Sequence, residues 1–345
     1  MAKRTMAALL GLAIAACAEA PPDSIPRAST SAELYPVLQP YQDELVLYDL
    51  VDEDRVGGPR PIPLAIRRPL GLKGPLPVVI WSHGGAHGST SPQNSMEEWS
   101  RFAAREGYVS VSIAHVPRSD EQRAELCSEL AIPDCELFKY LNWDRPRDIE
   151  LVLDALESPE PGSPFAKGRI DLQRIALGGH SAGAGATMMV AGAMRTYGGV
   201  PTWMEDPRPR AFLTFSPQGP GSEGFVESSW DGVLRPNLLA TGLGDENDGN
   251  TPESRALPHD LMPPGDKFRV FLADLGAVHG VFDHKPEACA HDYPLDHCKQ
   301  LVGWLESATL AFLDAYLRDD ANAQRWLASD NLPKASVGVA QWSHR

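Results

Sequence analysis

Cysteine is scarce in this chain of 345 residues: there are five, and no two are spaced C-x-x-C. That spacing is the usual mark of a thiolate zinc site, so a structural metal is not expected. Basic residues are outnumbered, with 31 Lys and Arg against 46 Asp and Glu and a net charge of −15. Phosphate backbones and anionic lipid surfaces need clustered Lys and Arg, so nucleic acid and a peripheral hold on anionic membrane are both disfavoured as partners. No apolar run is long enough to span a bilayer, and the longest, Met6 to Ala16, falls well short. Internal repeats are absent, and no composition shift marks a linker after residue 45. The acidic stretch "DENDGN" lacks the EF-hand pattern, because Gly249 comes one position early and Ala256 occupies the twelfth place.

What is present begins with an export signature. Lys3 and Arg4 precede the short apolar run, and Ile14-Ala15-Ala16-Cys17 resembles the lipobox of a bacterial lipoprotein. That resemblance implies a leader over residues 1–16, lipidation of Cys17 and anchoring to a bacterial membrane, facing the periplasm or the cell surface. The alternative is ordinary cleavage after Ala20, since Ala18-Glu19-Ala20 also fits. Residues 17–43, rich in Ala, Pro and Ser, read as a tether. Cys127, Cys135, Cys289 and Cys298 remain, and four cysteines allow three pairings. Two local pairs, Cys127 with Cys135 and Cys289 with Cys298, are the simplest, and an oxidising compartment would keep them formed.

Residues 44–320 alternate short apolar runs with amphipathic stretches. "LPVVIWSH", "YVSVSIAHV", "RIALGGH", "AFLTFSP", "NLLATG" and "FRVFLADL" read as strands. "SMEEWSRFAAREG", "DRPRDIELVLDALE" and the stripe Leu301, Leu305, Ala308, Phe312 and Tyr316 read as helices. The expected class is α/β, a mostly parallel central sheet with helices on both faces. Residues 321–345 read as a short helix and tail.

The stretch "RIALGGHSAGAGATMMVAG" carries the chemistry. Gly179-His180-Ser181-Ala182-Gly183 matches G-x-S-x-G between a predicted strand and a predicted helix, the context this motif requires. A sharp turn there would present Ser181 Oγ at the C-terminal edge of the sheet. Serine needs a base to take its proton, and the base needs an orienting acid. In this fold both follow the serine in the order acid then His. Asp245, after "LLATG", and His279, after "FLADL", occupy such positions, with Asp248 and Asp274 as rivals for the acid. The oxyanion requires donors: the Ala182 N–H is one, and the glycine-rich "SHGGAHG" loop supplies the other, from Gly85 or else Ala86. Candidate pocket walls are Gln218 in its Pro-Gln-Gly loop, Trp203, Trp230 and the segment 117–142. The tryptophans fit a packing role equally well. His115, at a strand end, reads as structural.

On these stretches the chain resembles the α/β-hydrolases, and more narrowly bacterial serine esterases related to platelet-activating-factor acetylhydrolase and dienelactone hydrolase-like proteins. The resemblance covers about residues 45 to 318. It implies the α/β-hydrolase fold, a Ser181–Asp245–His279 triad, Gly85 and Ala182 as oxyanion donors, and hydrolysis of a small-molecule ester without metal or organic cofactor. Dienelactone hydrolases proper carry a cysteine where Ser181 stands, so lactone chemistry is not implied. Residues 117–142, with their cysteine pair, read as an insertion over the pocket. An amidase or peptidase with the same triad and a binding protein on a hydrolase scaffold are the alternatives.

Overall fold

The apolar runs assemble into one nine-stranded sheet, seen in a computed structural model that describes residues 33–345 except 86–87, 133, 139 and 166–168. The expected leader and Cys17 lie outside the described residues, as do Ala86 and His87. The first half of the chain forms β1 (Asp43–Asp52), β2 (Arg60–Pro69), β3 (Leu76–Ser82), α1 (Glu97–Arg105), β4 (Val109–Ile113), α2 (Asp120–Glu129) and α3 (Asp144–Glu157). Next come β5 (Ile170–His180), α4 (Ala182–Ala191), a small hairpin of β6 (Arg195–Tyr197) and β7 (Val200–Thr202), and β8 (Ala211–Phe215). The chain ends with β9 (Asn237–Gly242), α5 (Pro252–Leu261), β10 (Lys267–Leu272), α6 (Leu295–Leu317), α7 (Ala321–Leu327), α8 (Asn331–Ala335) and β11 (Ala340–His344).

The order across the sheet is β1-β2-β4-β3-β5-β8-β9-β10-β11. The six strands from β4 to β10 run parallel, and β1, β2 and β11 join antiparallel at the margins. The class is therefore mixed α/β with a large, mostly parallel sheet.

Strand alternation divides the core. In β3, Val79 and Trp81 pack with Trp99 and Phe102 of α1 and Leu305 and Phe312 of α6. Val78 and Ile80 face the other way, onto Ile149 and Val152 of α3 and Met188 and Met189 of α4. A strand buried on both faces has no polar side to show, which is why these runs read as continuously apolar. Each such aliphatic side chain contributes about 1.5–3 kcal/mol on burial.

Two boundaries differ from the sequence reading. The end of the expected tether is packed: Tyr35 is buried and its hydroxyl donates to Asp314 Oδ2 at 2.8 Å, while Glu106 Oε1 accepts from the Leu38 and Gln39 N–H groups. Residues 321–345 form α7, α8 and the edge strand β11 rather than a helix and tail. The amphipathic signal in elements of five to seven residues is too short to read; α7 packs on α6, α8 on β11 and β11 on β10. Both local disulfides are present, Cys127–Cys135 and Cys289–Cys298.

Candidate active site

Ser181 stands alone between β5 and α4 with φ 53° and ψ −121°, a backbone geometry that side chains rarely adopt. Such a residue costs roughly 1–3 kcal/mol and persists only where its neighbours hold it. Here the Ser181 N–H donates to Phe215 O at 2.9 Å and the Gly185 N–H donates to Ser181 O at 3.1 Å. The flanking glycines have a steric cause. A Cβ on Gly179 would lie 2.3 Å from Gly183 O, and one on Gly183 would lie 1.9 Å from Ser82 O. All ten residues of α4 are buried, and the small ones at its start let the helix press against the end of β3.

Asp245 and His279 follow β9 and β10 at the same edge of the sheet. His279 Nδ1 lies 2.7 Å from Asp245 Oδ1. Asp245 is fully buried, and its other oxygen accepts from Ser216 Oγ at 2.5 Å and Thr241 Oγ1 at 2.8 Å. Arg255 adds a guanidinium 3.3 Å from Oδ1 and donates to the carbonyls of Ser216, Pro217, Asp245 and Asn247. A buried carboxylate this well partnered is held in one orientation. It fixes the proton of His279 on Nδ1 and leaves Nε2 as an acceptor. The rival acids are engaged otherwise. Asp274 accepts from the Gly276 N–H and His297, and Asp248 stands on the cavity wall.

Ser181 and His279 share a cavity of about 300 Å³, with Gly85 also on its wall. Ser181 Oγ and His279 Nε2 do not hydrogen-bond directly, a separation common before substrate docks. The Gly85 and Ala182 N–H groups make no hydrogen bond to any described residue; that of Ala182 is free because it opens α4. His180 Nε2–H donates to the His279 carbonyl at 3.0 Å, tying the two loops together. Burial, with His279 beside it, holds the His180 imidazole well below its usual range, so it is neutral.

The chain matches no family model and no curated protein.

Beneath the loop that bears Gly85 lies a polar scaffold the sequence did not disclose. Arg145 is completely buried, and it donates to the carbonyls of His83, Gly85 (2.9 Å) and Tyr140 (2.8 Å). Burial lowers its guanidinium to about 9. His83 Nδ1–H donates to Gly84 O at 2.6 Å while its Nε2 accepts from the His115 N–H at 3.2 Å. The loop is thus gripped at three successive residues. Deeper still, Ser82 Oγ donates to His115 Nε2, and His115 Nδ1–H donates to Asp148 Oδ2, each at 2.8 Å. This is a second Ser–His–Asp chain, but all three residues are shut off from solvent, and no substrate reaches Ser82. Burial lowers His115 to about 4. Asp148 is held well below the carboxylate range, because Arg60 and His115 outweigh the opposing effect of its burial.

The three expected pocket side chains are elsewhere. Gln218 is buried and donates to Glu223 Oε1 at 3.1 Å. Trp203 is 63% exposed and off the cavity wall. Trp230 is wholly buried, stacks on Phe225 and directs its indole N–H at Met188 Sδ. Among the described residues of the segment 117–142 only Tyr140 is on the wall, and Leu126, Cys127 and Phe138 are anchored in the core. The wall is completed by Asn94, Met96, Asn247, Asp283 and Lys285. Only one signal in the sequence pointed to them: Asn247 and Asp283 flank the Asp245 and His279 loops.

Proposed function

We propose that this chain is a serine ester hydrolase of the α/β-hydrolase fold, working through an acyl-enzyme with Ser181 as nucleophile. The observation that carries the proposal is the Asp245–His279 hydrogen bond, 2.7 Å long, at the rim of a cavity that also exposes a strained Ser181. In this mechanism His279 Nε2 takes the proton of Ser181 as Oγ attacks the ester carbonyl. Asp245 keeps the imidazole in the required tautomer and stabilises its charged form. The Gly85 and Ala182 N–H groups receive the developing oxyanion. His279 then protonates the leaving alcohol and activates the water that releases the acid. These groups complete the cycle without metal or cofactor.

The substrate class follows from the wall of the cavity. Ser89, Asn94, Tyr140, Asn247 and Lys285 line it, and among the described residues Met96 is the single large apolar side chain there. At about 300 Å³ it is near the lower end of small-molecule sites. We assign it to esters with short or polar acyl groups rather than long alkyl chains. We also propose export and lipid anchoring through Cys17; the two disulfides fit an oxidising compartment.

The test is turnover of p-nitrophenyl acetate, butyrate, octanoate and dodecanoate by the wild type and by Ser181→Ala. The expected result is a preference for acetate or butyrate and loss of activity in the variant by several orders of magnitude. Full activity in Ser181→Ala would remove Ser181 from the mechanism. A dodecanoate preference would overturn the substrate class while leaving the nucleophile in place. Absence of any ester turnover would favour a scaffold that binds without catalysis.

A further inference from the structure

A second cavity lies at the opposite edge of the sheet, where the parallel strands begin. It holds about 330 Å³ and is walled by Arg68, Lys73, Arg169 and Glu44 over Leu76 and Val109. Arg68 is near the end of β2, Lys73 is in the turn to β3, and Arg169 immediately precedes β5. Three cations converge here in a chain whose net charge is −15.

None of the three makes an ion pair or a side-chain hydrogen bond among the described residues. Arg68 is the sharpest case, since its Nε and Nη2 are closed off from solvent without any hydrogen-bond partner. Glu44 stands directly across from Arg68 in the β1–β2 register, yet its carboxylate does not pair with it. Burial, and then the charge of Arg169, lower the Arg68 guanidinium below its usual range, with Glu44 offsetting part of this. Buried donors left unpaired are costly, and two guanidinium groups held near one another add repulsion. The arrangement gains if an anion fills the cavity.

We propose that this cavity binds a phosphate-type oxyanion, with Arg68 and Arg169 as its principal donors and Lys73 at the rim. Guanidinium forks suit such a group because each donates two parallel hydrogen bonds to neighbouring oxygens. Free phosphate and a phospholipid headgroup share this chemistry. The inference is independent of the ester-hydrolase reading, since the cavity shares no residue with the one at Ser181.

The experiment titrates the full chain with inorganic phosphate and with the diester glycerophosphoglycerol, by calorimetry and by thermal unfolding at constant ionic strength. Saturable binding is expected, with a rise in Tm of roughly 2 °C or more at saturation. Arg68→Gln and Arg169→Gln should each weaken binding at least tenfold and leave ester turnover unchanged. In phosphate-free buffer Arg68→Gln should melt no lower than wild type, because it removes an unpaired buried charge. If that variant fails to fold, Arg169→Gln and Lys73→Gln, at exposed positions, carry the same test. Tighter binding of the diester supports the headgroup source, and tighter binding of phosphate supports the free anion. Failure of both ligands to saturate, or equal affinity in the variants, overturns the site.

Discussion

The imidazole of His279 and the carboxylate of Asp245 meet through Nδ1 and Oδ1 at 2.7 Å, with the carboxylate buried and the imidazole open to the cavity. In the proposed mechanism this division of exposure lets the acid orient and the imidazole react. Asp245→Asn preserves shape but puts an amide donor where an acceptor is required, which favours the wrong tautomer of His279. The expected loss in kcat is about 10⁴-fold, measured with p-nitrophenyl acetate. Asp248→Asn, on the cavity wall but not bonded to His279, should lose less than about tenfold. The reverse ranking would hand the acid's role to Asp248.

Under the proposed mechanism Arg145 is a positioning residue for the loop that carries the Gly85 N–H. It touches no substrate, but its guanidinium fixes the Gly85 carbonyl at 2.9 Å and, through it, the setting of the loop that carries the Gly85 N–H. Arg145→Lys keeps a charge but cannot bridge His83, Gly85 and Tyr140 at once. Removing a whole oxyanion donor costs about 10²–10³ in kcat, so loosening one should cost roughly tenfold to a hundredfold. KM should change little. A lower Tm with kcat intact would show that the residue serves stability alone.

The strand-to-helix turn sets a steric prediction. At Gly183 a methyl group would lie 1.9 Å from the Ser82 carbonyl, and that atom is backbone at the root of the oxyanion loop. Gly183→Ala should therefore move α4 away from β3, which separates the Ala182 and Gly85 donors. The expected cost is about 1–3 kcal/mol or more of stability, read from urea unfolding, together with loss of ester turnover. Wild-type stability in this variant would mean that α4 does not start where it is placed.

The disulfide Cys289–Cys298 closes the chain after His279 onto the start of α6. Chain-entropy reasoning for a loop of this size gives about 2–3 kcal/mol. Replacing both cysteines with serine should lower the urea midpoint accordingly. It should also raise protease cleavage between Lys285 and Pro294 before cleavage elsewhere. A midpoint unchanged from wild type would assign this staple no role in stability.

The sequence made legible what depends on local periodicity and short spacing. The runs of β3, β8 and β9 are buried on both faces and so were largely apolar, as was the second half of β5. Ser181 was visible because the turn needs glycine at 179 and 183 whatever surrounds it. Asp245 and His279 were visible because each follows a strand. The scaffold was not legible, since Ser82, His115, Asp148 and Arg145 come from four separate segments and meet only in the folded chain. Trp203 and Trp230 were misplaced for a related reason: a large aromatic side chain fits a core, a pocket wall or an exposed hairpin equally well in sequence. Residues 321–345 were read as a short helix and tail because elements of five to seven residues carry too few turns to show a period.

The buried histidines make the fold acid-sensitive in a defined window. His83, His115 and His180 are all enclosed, and burial lowers each imidazole below its ordinary value near 6.5. His115, facing Asp148, Ser82, Arg60 and Arg145, is lowered to about 4. A lowered value means that the unfolded chain binds more protons than the folded one between the two. Stability from these groups is therefore fully present above about pH 6.5 and is lost as the pH falls. For His115 the loss is complete near pH 4. Each histidine contributes a slope of about 1.4 kcal/mol per pH unit within its window. Asp148 acts in the same direction but lower, because its folded carboxyl is held below the carboxylate range. The urea midpoint should thus fall steeply from pH 6.5 to pH 5 and stay flat above pH 7. His115→Gln should reduce that slope by about one histidine's share, at the cost of leaving Ser82 or Asp148 short of a partner at every pH. The two effects separate cleanly, because a lost hydrogen bond shifts the whole curve and a lost proton changes only its steepness. A midpoint that does not vary between pH 7 and pH 5 would show that these histidines reach water, and the sealed Ser82–His115–Asp148 chain beneath the oxyanion loop would then have to be abandoned.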